Sequence, residues 1–232
     1  MPMPYRRALI VGAGSGLSAS LARLLAKEGL KVALAARSND KSAKVAAETG
    51  AASFAVDASD PAQVTSLFEA VDKSFGTPDV VIYNASYRTR GPIIDLDPAE
   101  VEKSLAVSAF GGFLVAQQAA RRMLPNGQGA MFFTGASASV KGYAQSAPFA
   151  MSKAALRGLA QSMARELSPR GIHVAHFVID GGIASERRPA SPDKPDALLD
   201  PDAIAETYVS VLKQPRSAWS LEVEVRPWVE AF

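Results

Sequence analysis

The chain has 232 residues, nearly half of them apolar, enough to bury a sizeable core in one large α/β domain or two small ones. Its 25 basic and 23 acidic residues are interspersed, which leaves no basic face for nucleic acid, and the absence of cysteine excludes disulfides and thiolate catalysis. Two histidines without cysteine give no metal-ligand cluster, and no apolar run approaches the length needed to cross a membrane, so a soluble cytoplasmic protein is expected.

Arg6-Arg7 before an apolar run imitates a targeting segment, but a glycine cluster interrupts the run at once, so it reads as a buried strand. Further short apolar runs follow, and together residues 8–11, 32–36, 53–56, 80–83, 130–133 and 173–179 predict strands. Most are continuous rather than alternating, as in a sheet covered on both faces. Between them, residues 17–28, 40–48, 61–75, 98–123 and 147–167 read as helices. Asp60-Pro61 and Asp97-Pro98 each set a capping carboxylate before a proline at the first helical position. Gly29, Gly76 and Gly171 stand where helices should stop. Residues 184–200, rich in proline and charge, read as a lid or excursion. A helix at 201–212 and an alternating strand at 220–225 close the chain. No internal repeat and no dividing linker interrupt this alternation. It predicts one domain over residues 1–232, a doubly wound, Rossmann-type parallel sheet of about seven strands in a three-layer α/β/α arrangement.

Gly12-Ala13-Gly14-Ser15-Gly16 joins the first strand to the first helix. Glycines in that context let the backbone turn sharply and approach a pyrophosphate whose charge sits on the helix N-terminus. The common G-x-G-x-x-G register fails, because its third glycine falls on Leu17. At the end of the second strand, where NAD-preferring sites place a carboxylate, this chain has Ala36 followed by Arg37 and Ser38. A missing acid beside an arginine suits a 2′-phosphate, which favours NADP with NAD as the alternative. The plainer reading of Arg37 is a solvated surface residue.

These segments, together with Phe149-Ala150-Met151-Ser152-Lys153, resemble the short-chain dehydrogenase/reductase family in order along nearly the whole chain. The family's T-G-x-x-x-G-x-G loop is matched at Gly12 and Gly16, with Val11 for the threonine and Ser18 for the last glycine. The resemblance implies that Gly14, Ser15 and Leu17 join them around the cofactor, and that Asp57, beside Ala58, meets the adenine amino group. It also sets Asn84-Ala85-Ser86 against the family's Asn-Asn-Ala-Gly, and Asp180-Gly181-Gly182-Ile183-Ala184-Ser185 against its nicotinamide-lining Pro-Gly-x-Val-x-Thr, so that Gly181, Ile183 and Ser185 line the cofactor. For Asp57 and Asn84 a plain turn or cap is the competing reading.

Family enzymes use an asparagine, a serine, a tyrosine and a lysine around the reacting oxygen. By the resemblance, Lys153 is the lysine, Phe149 stands at the tyrosine position, Ala136 at the serine position and Ser108 at the asparagine position. A phenyl ring has no exchangeable proton. The resemblance leaves Ser137 and Tyr143 as substitutes, with Tyr87 as a third group near the same cleft, while His173 and His176 fall on a predicted buried strand as structural residues. Two readings follow. One is an NAD(P)-dependent oxidoreductase acting on a small carbonyl or alcohol through an atypical centre, and the other is a catalytically silent NADP-binding sensor or assembly partner. A homodimer or homotetramer through the helices at 98–123 and 147–167 is the assembly the resemblance implies.

Overall fold

The computed structural model describes residues 3–38, 40 and 42–230. Seven strands form one parallel sheet: β1 (Arg7–Val11), β2 (Lys31–Ala36), β3 (Ala52–Ala55), β4 (Val80–Tyr83), β5 (Gly129–Thr134), β6 (Ile172–Ile179) and β7 (Glu222–Val225). Their spatial order is β3-β2-β1-β4-β5-β6-β7. The crossover direction therefore reverses between β1 and β4, the switch point where open α/β sheets hold ligands beyond their strand ends.

Helices α1 (Leu17–Lys27), α2 (Ala43–Thr49) and α7 (Pro201–Leu212) cover one face. Leu21, Leu25, Val45 and Tyr208 pack there against Ile10, Leu34 and Phe177 of the strands. Helices α3 (Pro61–Ser74), α5 (Gly111–Met123) and α6 (Ala147–Leu167) cover the other, where Phe68, Val115 and Leu156 meet Leu9, Val81 and Met131. Alternate strand residues thus feed two separate cores, which is why the strands read as unbroken apolar runs. The predicted caps form: Asp60 accepts from the backbone N–H of Ala62 at 2.8 Å, and Asp97 from that of Ala99 at 2.9 Å.

Three departures from expectation have local causes. The predicted helix at 40–48 starts at Ala43, because Asp40 closes a turn with Ser38 (Ser38 Oγ to Asp40 Oδ2, 2.7 Å) instead of capping; Lys41 lies outside the described residues. The predicted helix at 98–123 divides into α4 (Pro98–Leu105), a five-residue π turn at Ala106–Phe110, and α5. There the Val107 carbonyl accepts from the Tyr83 hydroxyl of β4, and a side chain on Gly111 would run into that same hydroxyl. Finally, the 184–200 excursion is stapled at its base, since Ala184 N–H donates to the Leu199 carbonyl and Leu199 N–H to the Gly182 carbonyl, each at 2.8 Å.

Candidate active site

A trough of three adjoining pockets crosses the C-terminal ends of the strands at the switch point. Its outer end is lined by Gly12, Ala36, Arg37, Asp57, Ala58 and Ala85; its middle by Gly14, Gly16, Leu17, Ile183 and Ser185; its inner end by Ala136, Ser137, Tyr143, Phe149 and Lys153. Asn84, just beyond β4, borders all three stretches.

The glycine loop is shaped from both sides. Gly12 has φ +93° and faces the Ala85 backbone so closely that any Cβ would overlap it. Gly14 and Gly16, by contrast, face open space, Ser15 lies exposed between them, and α1 begins with no side-chain cap and no acidic residue in its first turn. Backbone N–H groups at such a terminus suit a pyrophosphate. Ser18, a departure from the family pattern, ties the loop together: its hydroxyl donates to the Gly12 carbonyl at 3.0 Å and accepts from Asn84 Nδ2 at 2.7 Å. Sequence reasoning missed that tie, because it joins residues far apart in the chain. Asn84 is more than a turn former.

At the outer end, Asp57 accepts from the Ser59 hydroxyl at 2.6 Å and from its N–H at 2.9 Å. Those two bonds, with the Arg37 charge adding, outweigh burial and the Asp60 charge and hold its carboxyl below the usual range. One carboxylate oxygen thus serves the turn. Arg37 and Ser38 are exposed on the same wall, although the Ser38 hydroxyl is engaged by Asp40.

At the inner end, Lys153 is 3% exposed and donates from Nζ to the Thr134 carbonyl at 2.7 Å. Burial pulls its pKa down to about 8, which leaves it largely protonated at neutral pH. Lys153 Nζ lies 5.8 Å from the centroid of the Phe149 ring, one turn earlier on α6. Ala136 offers only its N–H, which donates to the buried Ser139 hydroxyl at 3.1 Å, so Ser139 belongs to the loop, while Ser137 lies on the cleft wall together with Ser86, Thr134 and Ser146. Tyr143 lines the cleft too, with Lys141 Nζ 5.7 Å from its ring centroid; the Tyr143 hydroxyl is the main reason the Lys141 pKa is raised, with Asp180 adding.

Ser108, at the asparagine position, is buried: its hydroxyl accepts from the Tyr87 N–H at 2.9 Å, donates to the Tyr87 carbonyl at 3.3 Å and lies 3.3 Å from the hydroxyl of Ser86, which lines the cleft. One expectation needs correction: Tyr87 does not line the cleft, because its hydroxyl donates to Glu100 and its ring lies under Lys103. Residues that sequence reasoning passed over line the inner end instead: Arg88, Arg90 and Arg188. The Arg-x-Arg of the first two was the one legible signal.

The fold and this trough define a dinucleotide-type α/β protein, and comparison with known proteins narrows the class. The family model described as short chain dehydrogenase matches residues 6–194. An uncharacterized oxidoreductase of Staphylococcus aureus (strain N315) is 30% identical over 226 residues, spanning 95% of this chain and 96% of that one. The crystal structure of a short-chain dehydrogenase from Rhodopseudomonas palustris superposes with a TM-score of 0.84 at 35% identity, covering 96% of this chain and 99% of that one. An alcohol dehydrogenase from the archaeon Thermococcus sibiricus, complexed with 5-hydroxy-NADP, gives a TM-score of 0.84 at 26% identity, covering 97% and 98% of the two chains.

The chain belongs to the short-chain dehydrogenase/reductase family. Its enzymes are oxidoreductases that use a nicotinamide cofactor, and the open space at Gly14 and Gly16, the uncapped α1 terminus and buried Lys153 fit one. Among the described residues no helix is long and apolar enough to cross a membrane.

Proposed function

We propose that this protein is an NADP-dependent oxidoreductase moving hydride between the nicotinamide and a small carbonyl or alcohol substrate, with an atypical proton donor. The observation that carries the reading is the row of three adjoining pockets, all bordered by Asn84, that runs from Arg37 past Gly14 and Gly16 to buried Lys153. When bound, the nicotinamide supplies or accepts the hydride. Arg37 holds the 2′-phosphate, the backbone of Gly14 and Gly16 the pyrophosphate, and the Lys153 ammonium the nicotinamide ribose. The Thermococcus alcohol dehydrogenase complexed with 5-hydroxy-NADP supports NADP over NAD.

Phe149 can neither give nor take a proton. Tyr143 is the phenol lining the cleft, and in this reading its hydroxyl exchanges the proton with the substrate oxygen. The Ser137 hydroxyl is a second donor for that oxygen. The loss of both usual hydroxyls, at Ala136 and Phe149, favours a second reading: a catalytically silent NADP binder acting as a sensor or assembly partner.

Calorimetric titration with NADP and, separately, NAD tests the proposal. NADP should bind more tightly by about tenfold, and Arg37→Asp should reverse the order. Equal affinities would remove the NADP assignment, and no binding of either would overturn both readings. Turnover across a carbonyl panel by the binding-competent protein separates the enzyme from the silent binder.

A further inference from the structure

Arg88 and Arg90 follow the Asn84 segment and line only the inner cleft, not the stretches assigned to the adenosine and pyrophosphate. The Arg88 guanidinium carbon lies 4.6 Å above the centroid of the Phe149 ring. A guanidinium stacked on a ring keeps its N–H donors in its own plane, free for a planar oxyanion. Neither arginine forms an ion pair or side-chain hydrogen bond among the described residues. Burial and the Arg90 charge both press the Arg88 pKa downward, the sign of two cations held together without a counter-charge.

Surface arginines are usually mobile, but this pair rides on a loop anchored at both ends. Tyr87 is held by Ser108 and by the Ser104 hydroxyl, which donates to the Tyr87 carbonyl at 3.1 Å. Gly91 N–H donates to the Gln145 carbonyl at 3.1 Å, closing the loop onto the segment that carries Tyr143. Across the cleft, Arg188 lies flat on Gly182, where a Cβ would displace it. The lining carboxylates are Asp180, already paired with Lys141 at 3.6 Å, and Glu230. Lys153 and three arginines outnumber them.

We propose that the substrate of this cleft carries an oxyanion group, a carboxylate or a phosphate monoester, gripped by Arg88 and Arg90 above the Phe149 ring. This rests on the oxidoreductase reading for the cleft's chemistry, but the binding itself does not depend on turnover. The anchored loop fixes where the two arginines leave the backbone, and the Phe149 ring seats the Arg88 guanidinium, which lowers the ordering entropy that opposes binding. Phe149 then serves as the platform for Arg88.

The test uses the NADP-loaded protein and three matched probes: para-formylbenzoate, para-formylphenyl phosphate and neutral para-formylbenzamide. Binding is read by calorimetry on the NADP complex, and turnover by nicotinamide absorbance after NADPH replaces NADP and supplies the hydride that reduces the formyl group. One or both anions should bind at least about tenfold more tightly than the amide, the change expected for one charge-assisted hydrogen bond. Arg88→Gln and Arg90→Gln should each erase that preference while leaving NADP affinity, and hence the fold, intact. The carboxylate and phosphate arms identify which oxyanion the pair prefers. Equal binding of all three probes, no binding of either anion, or a preference that survives both substitutions would overturn the proposal. Selective anion binding without turnover would keep it and remove the oxidoreductase reading instead; unselective turnover would do the reverse.

Discussion

Phe149 has two cations near its ring, with Arg88 at 4.6 Å and Lys153 at 5.8 Å from the centroid. The tyrosine that usually stands there exchanges a proton, and a positioned acid or base contributes roughly 10²–10⁴-fold to rate. Ala136 removes a second hydroxyl worth roughly 10²–10³-fold at a developing oxyanion. Lys153, buried and bonded to Thr134, remains in place to support a restored tyrosine. The double substitution Ala136→Ser with Phe149→Tyr should therefore raise carbonyl reduction by at least about 100-fold, with each single change giving less. Nicotinamide absorbance across a carbonyl panel reads the gain. A double variant no faster than the parent, with NADP binding retained, would mean that these two positions do not face the reacting oxygen. The loss of both hydroxyls was legible in the sequence, because their spacing to Lys153 is local. The engagement of Ser108 with Tyr87 was not, because a serine of unknown orientation looks the same whether it faces a cleft or the chain.

The π turn at Ala106–Phe110 shows how an element departs from its own periodicity. The apolar spacing runs unbroken through residues 98–123, so the sequence reads as one helix. The widened turn depends on a partner supplied by another strand, the Tyr83 hydroxyl, and on Gly111, whose missing side chain lets that hydroxyl approach. Ser108, inside the turn, thereby reaches the loop that carries Arg88 and Arg90. It is a positioning residue. Ser108→Ala would leave the Tyr87 N–H without its acceptor and cost about 1 kcal/mol. The urea midpoint should fall with its slope unchanged, and any oxyanion preference should weaken while NADP affinity holds. An unchanged midpoint would show that water replaces the hydroxyl freely.

At the scale of the whole molecule, stability carries the imprint of a histidine buried in the sheet. His176 on β6 is 0% exposed, and neither ring nitrogen has a hydrogen-bond partner. Burial lowers its pKa from 6.5 to about 4, with Lys153 and Arg157 adding to the effect and Glu222 opposing it. As pH falls through 6.5 the unfolded chain takes up this proton while the folded chain refuses it until about 4. The unfolded state binds more protons across that window, so folding stability drops, by roughly 3 kcal/mol in all for this group. His176→Leu should recover most of that acid loss in denaturant titrations at neutral pH and just above pH 4. The same acid loss in wild type and variant would assign it to the carboxylates. His173 follows the same direction more mildly, since its Nε2 meets the Ser220 carbonyl at 2.9 Å.

Strand–helix alternation, the glycine loop after β1, the retained Lys153 and the missing hydroxyls at Ala136 and Phe149 are determined by the sequence itself. Each depends on short-range spacing: apolar runs that only a doubly covered sheet can bury, glycines next to a strand end, and side chains four residues apart on one helix. Tertiary structure alone decided which polar groups face the cleft. Glu100 draws Tyr87 away, Gln145 pins Gly91, and Phe149 seats Arg88, so that arginines occupy a wall the sequence left to Tyr87. The direction of a loop side chain is set by partners distant in sequence, and those partners meet only when the sheet has brought its strand ends together.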